Sequence, residues 1–161
     1  MKKTILITSL VLCAVFIVGF VLGCGGDDEG DVPETVADVR DAALDSEGWN
    51  VEYLSPSVDL AAPEGIEMVL DSWGSDIVTT TFANNSAAEW TFGEYFVLQV
   101  LIGDIWYDIP PLEDVAFIDI AYTLQPGDVR EHEYDITAYG DLPAGTYRIT
   151  AFGLYVEHTL P

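Results

Sequence analysis

Few side chains in this sequence combine a reactive type with a spacing that chemistry could use. Its 161 residues hold two histidines, two cysteines, five basic and 28 acidic residues. Group-transfer or hydrolytic chemistry needs a nucleophile beside a base, a metal set, or paired carboxylates in a pocket. His132 and His158 stand in no Gly-x-Ser-x-Gly-like context and no His-x-x-x-His spacing, so both read as edge or surface residues. Asp27-Asp28-Glu29-Gly30-Asp31 lacks the spaced oxygens and closing bidentate glutamate of a calcium loop. Glu113-Asp114 with Asp119, or Glu131, Glu133 and Asp135, could hold a cation weakly or simply form a solvated face. Trp90, Trp106 and Tyr107 could line a ligand surface, but Trp106 and a neighbouring aromatic read more simply as core. The expectation is no catalytic residue, no metal set and no cofactor.

The thiol with a diagnostic context is Cys24. Lys2 and Lys3 form a positive start, Ile5 to Leu22 is almost wholly apolar, and Gly23 precedes the cysteine. This layout belongs to an export segment rather than to a fold. Val21-Leu22-Gly23-Cys24 resembles a bacterial lipoprotein signal, which implies that Cys24 becomes the lipidated first residue of the mature protein. An uncleaved membrane helix is the alternative, at the short limit of about 18 apolar residues. Both readings put residues 25–161 outside the cytoplasm. One acyl chain holds a protein marginally and two hold it firmly; the resemblance implies at least two. Cys13 is lost with the signal, so Cys24 has no internal disulfide partner.

Cleavage before Cys24 leaves 138 of the 161 residues and removes both lysines but no acidic residue, moving the formal charge from −23 to −25. Arg40, Arg130 and Arg148 are the cations that remain. Such a charge opposes nucleic-acid binding, which depends on neutralising phosphates with Lys and Arg, and opposes docking on anionic lipid heads. It favours solubility, and leaves room for cation binding or a basic protein partner.

The elements that must position these residues follow from patterning. Gly25 to Asp31 cannot bury apolar surface and reads as a tether. Pro33 to Glu47 allows a short helix stopped by Gly48, and Trp49 to Leu54 alternates like a strand. From Gly65 onward, short β-type runs recur between turn signals: 66–73, 77–83, 95–102, 105–109, 115–124, 129–136, 147–152 and 154–158. Gly103-Asp104 joins two of them as a two-residue turn with glycine first. In 129–136, Glu131, Glu133 and Asp135 face one side while Arg130, His132, Tyr134 and Ile136 face the other. Seven or eight short strands in about 100 residues point to an all-β, antiparallel sandwich.

Four pieces in order carry a family resemblance over roughly 65–152. They are Phe92-Gly93-Glu94-Tyr95-Phe96-Val97-Leu98-Gln99; Ile105-Trp106-Tyr107-Asp108-Ile109-Pro110; Leu124-Gln125-Pro126-Gly127; and Leu142-Pro143-Ala144-Gly145-Thr146-Tyr147-Arg148-Ile149. Together they resemble a bacterial immunoglobulin-like domain family found in lipoproteins and other surface proteins. The resemblance implies an immunoglobulin-like β-sandwich and no catalytic chemistry. Gln99 stands where that family usually has Glu, which would leave Arg148 a neutral partner. Gly145-x-Tyr147-x-Ile149 also fits a tyrosine corner, with Tyr147 bonding to upstream backbone around 139–142 and Ile149 pointing inward.

The expected layout is therefore a signal peptide over 1–23, a lipidated Cys24 with acidic tether over 24–61, and a sandwich over 62–161. Trp106, Tyr147 and Ile149 are its expected fold-determining residues. The expected role is a lipid-anchored binding or structural module at the bacterial cell envelope, held to the membrane by its anchor and meeting an envelope protein or other surface ligand. A calcium-dependent adhesion module is the alternative, and an enzyme with an unrecognised site a remote one.

Overall fold

The computed structural model describes residues 43–45, 48–112, 115–117 and 119–161; these belong to one compact unit. Its strands in chain order are β1 (Leu44–Asp45), β2 (Gly48–Trp49), β3 (Ser55–Pro56), β4 (Ile66–Trp73), β5 (Ile77–Asn84), β6 (Trp90–Phe92), β7 (Val97–Ile102), β8 (Ile105–Asp108), β9 (Tyr122–Leu124), β10 (Val129–Asp135), β11 (Gly145–Ala151) and β12 (Leu154–Leu160). A five-stranded sheet runs β12-β11-β7-β8-β3 and a three-stranded sheet runs β10-β5-β4, with β6-β9 and β1-β2 as separate pairs. All pairings are antiparallel. The fold is an all-β antiparallel sandwich.

The period-2 rule decides what each strand buries. On β5, Val78, Thr80, Phe82 and Asn84 are buried. On β10, His132 and Tyr134 are buried while Glu131, Glu133 and Asp135 are exposed. From the opposite sheet come Leu98, Val100, Tyr147, Ile149, Ala151, Leu154 and Val156. Full burial of each large apolar side chain contributes about 1.5–3 kcal/mol. Gly103, at φ +62°, opens the two-residue turn between β7 and β8.

The sandwich recruits chain from before residue 62. β3 pairs with β8, Leu54 is buried, and the indole Nε1 of Trp49 donates to the Tyr147 hydroxyl at 3.0 Å. Expectations for the neighbouring residues change accordingly. The helix expected to reach Glu47 does not extend over Leu44–Asp45, which pairs with Gly48–Trp49; Ala43 just before it is helical and buried, and the other residues of that segment, with the export segment and the tether, lie outside the described residues. The strand expected over 49–54 is instead a 3-10 turn at Val51–Tyr53, because the Asn50 side chain accepts from the Glu52 backbone N–H and caps it. Among its described residues the run 115–124 is strand only at Tyr122–Leu124: Phe117 turns aside to meet the rings of Tyr95 and Phe96 edge-on, so side-chain packing takes the place of ladder pairing at that residue.

The β11–β12 hairpin is the tightest point. Phe152 takes φ +55° and Gly153 φ +81°, which lets the Phe152 ring reach Trp90 and Phe92. A Cβ on Gly153 would lie 2.4 Å from the Ala61 carbonyl oxygen. The strap over 57–62 therefore rests on that bare glycine.

Candidate functional site

Polar chemistry gathers where β10 faces the segment between β6 and β7. Glu94 is its hub. The Tyr122 hydroxyl donates to Glu94 Oε1, and Nε2 of His132 stands 3.5 Å from Glu94 Oε2, an ion-pair distance without hydrogen-bond geometry. Alternation along β10 drives His132 inward, where the rings of Phe92, Tyr122 and Tyr134 meet it edge-on at 5.4, 5.6 and 4.7 Å. The guanidinium of Arg130 lies 4.0 Å over the Tyr122 ring. His132, read from sequence as an edge or surface residue, is thus buried, because β10 sits between the solvent and an aromatic box assembled from distant chain.

Burial lowers the His132 pKa below the usual histidine range; Glu94 pulls it upward and Arg130 adds to the lowering. The imidazole is therefore neutral at pH 7. Tyr122 is shifted up, first by its hydrogen bond to Glu94. Burial shifts Tyr134 strongly up, so its phenol is neutral and can only donate or accept hydrogen bonds.

Beside this hub lies a cleft of about 420 Å³ floored by Phe96, Phe117 and Tyr134 and rimmed by Glu94, Glu133 and Asp135. Tyr134 is 1% exposed and its hydroxyl has no hydrogen-bond partner. A buried hydroxyl left unmatched costs about 1–3 kcal/mol, so its presence beside a cleft needs a reason. Asp135 is held by the Thr137 backbone N–H and hydroxyl at 2.9 and 2.6 Å, which keep its pKa low.

A second polar cluster lies on the outer face of the five-stranded sheet. Register places Arg148 opposite Gln99, and Gln99 opposite Asp108. Nε of Arg148 donates to Gln99 Oε1 at 2.5 Å, and Gln99 Nε2 donates to Asp108 Oδ1 at 2.7 Å. The Thr150 hydroxyl adds a bond to Gln99 Oε1, and Nη2 of Arg148 reaches Asp59 of the strap at 2.5 Å. The Trp106 and Tyr155 rings flank the guanidinium at 4.4 and 5.1 Å. Burial raises the Asp108 pKa, with Gln99 and Arg148 opposing. This cluster fastens the strap; its groups are already matched to one another.

The expected fold-determining residues fall in different places. Tyr147 and Ile149 are fully buried. The Tyr147 hydroxyl donates to the Pro143 carbonyl at 2.7 Å, one residue beyond the expected stretch. Trp106, expected in the core, is half-buried on the outer face, because β8 register pairs it with Leu101 on the side away from Val100 and Ile149. Its neighbour Tyr107 packs on the core instead. His158 stacks on Trp73 at 5.3 Å. Cys24 lies outside the described residues. Among the described residues no group of three or more His, Cys, Asp and Glu could hold a metal ion. Sequence reading missed Glu94, Tyr122 and Tyr134 as one site; the available signal was the inward set on β10 combined with the Glu of the Phe-Gly-Glu-Tyr run.

The His132 shift has a pH consequence. Its folded pKa lies below its unfolded value of about 6.5, so the unfolded chain takes up the proton first. Stability from the neutral buried form is complete above about pH 6.5 and is lost as pH falls toward the lower folded pKa. Asp108 moves oppositely, since protonation relieves its burial penalty, but it does so with or without His132. The melting temperature should therefore drop less between pH 7 and 5 in His132→Phe than in the parent. Parallel slopes in thermal melts would show that His132 contributes no such linkage.

A model of a family described as bacterial Ig-like domain matches residues 67–152. No curated protein and no solved structure matches the chain.

Proposed function

The chain belongs to the bacterial Ig-like domain family, and from that premise we propose that it is a lipid-anchored module of the bacterial cell envelope, presenting its sandwich to a protein partner outside the cytoplasm. Family membership supports a surface or structural role rather than catalysis. The observation that carries the binding part is the cleft at Glu94, with its aromatic floor, acidic rim and unmatched Tyr134 hydroxyl. The titratable groups around it are placed for recognition: the imidazole is buried and neutral, and Glu94 is engaged by Tyr122. The calcium-dependent alternative has no matching geometry among the described residues, where no group of three or more His, Cys, Asp and Glu is arranged to hold a metal ion.

Anchoring rests on the sequence around Cys24, whose thiol is the acceptor for the acyl chains in this reading. Among the described residues no helix is long and apolar enough to cross a membrane. Replacing Cys24 with Ala should abolish incorporation of a fatty-acid probe into the full chain expressed in bacteria, since no other cysteine follows the export segment. Labelling that persists in Cys24→Ala would remove the anchor from the proposal.

A further inference from the structure

We infer that the cleft between Glu94, Tyr134 and Phe117 receives an arginine side chain from a basic segment of a partner protein. This inference rests on the binding-module reading and names the chemistry of the partner.

The first support is a recurring arrangement within the chain itself. Arg130 lies over the Tyr122 ring, and Tyr122 is bonded to Glu94. Arg148 lies between Trp106 and Tyr155 with Asp59 at 2.5 Å. Arg148 is thus held by two aromatic faces and a carboxylate, and Arg130 by an aromatic face whose hydroxyl bonds a carboxylate. The cleft brings together the same two kinds of group, with Phe96, Phe117 and Tyr134 as rings and Glu94 and Glu133 as carboxylates. Arg130 and Arg148 are engaged elsewhere, so neither supplies its cation.

The second support is the Tyr134 hydroxyl. It is buried, without a hydrogen-bond partner, and close enough to Glu94 for that charge to raise its pKa. The hydroxyl is covered, so the phenol must turn toward the cleft; a guanidinium N–H entering beside Glu94 would then give this oxygen a donor. Guanidinium suits the site better than a hydrated divalent ion. It is planar and weakly hydrated, stacks on rings, and presents several donors at once. Lysine's compact, strongly hydrated ammonium suits an aromatic floor less well. The charge of the chain, −23 in full, steers a basic partner toward it.

The test uses the detergent-solubilised full chain and a short glycine-flanked peptide with one central arginine, followed by NMR at the Tyr134 and Phe117 resonances. Citrulline in place of arginine keeps the shape and removes the charge. The arginine peptide should bind about tenfold or more tightly than the citrulline peptide, as expected for a charge-assisted bond. Tyr134→Phe and Glu133→Gln should each weaken it several-fold without lowering the denaturation midpoint, because one removes an unmatched hydroxyl and the other lies on the exposed face. Equal binding of the citrulline peptide would overturn the inference, as would full binding in both variants. Binding that emerges only in Arg40→Gln would also overturn it, by showing that the chain's own arginine fills the cleft. Fatty-acid labelling of the parent is unaffected by any of these results, so anchoring and partner chemistry fail separately.

Discussion

Ile149→Ala should be the most damaging core substitution, costing about 2–5 kcal/mol in chemical denaturation. Ile149 is fully buried at the centre of β11, opposite Leu98 on β7 and Val156 on β12. Truncation there leaves a cavity walled by two sheets that cannot both close on it. Stability of a domain is typically about 5–15 kcal/mol, so a loss of this size moves the midpoint strongly. Tyr147→Phe should cost less. It keeps the ring and removes a hydroxyl that bonds Pro143 and receives the Trp49 indole N–H, for about 0.5–1.5 kcal/mol, rising toward about 3 if a buried group is left unmatched. Glu131→Ala and Glu133→Ala should leave the midpoint nearly unchanged, since both side chains point to solvent from β10. Glutamate variants more damaging than Ile149→Ala would contradict the register of the sandwich.

Gly153→Ala should be the second large effect, about 2–5 kcal/mol. Two costs combine. An L side chain at φ +81° sits in the left-handed region at about 1–2 kcal/mol. The new Cβ would also stand 2.4 Å from the Ala61 carbonyl oxygen and 2.8 Å from its carbon, and such crowding costs about 1–3 kcal/mol. The neighbour in the way is backbone, so the strap must lift. That strap carries Asp59 and Ser57, which hold Nη2 of Arg148. The loss should therefore shrink when Gly153→Ala is made in an Asp59→Ala background, because the contact it breaks is already gone. Strict additivity in that double-mutant cycle would mean that the strap and the arginine are uncoupled.

Gln99 links the sequence reading to the structure. A neutral partner for Arg148 was expected there, and Arg148 does meet Gln99. The reason for an amide emerges only across the sheet. Gln99 accepts from Arg148 and donates to Asp108, and a glutamate at this position could do the first but would confront the Asp108 carboxylate instead of the second. Whether position 99 should carry a charge therefore depends on a residue nine positions away that register brings alongside.

Local patterning alone was enough for the strands with strict alternation, the turn at Gly103, the antiparallel sandwich, and the split of β10 into a Glu131-Glu133-Asp135 face and its opposite. These follow from local steric preference and period-2 burial, which act within a few residues. Long-range packing was needed to put Trp106 outside and Tyr107 inside, to box His132 with Phe92 and Tyr122, and to lock the strap before residue 62 onto Arg148. Each depends on which distant strand arrives alongside and in what register. A shift of one residue exchanges the two faces of a strand. The cleft is the clearest case: Glu94, Phe117 and Tyr134 come from three separate stretches of chain, and their shared chemistry exists only once the two sheets have closed.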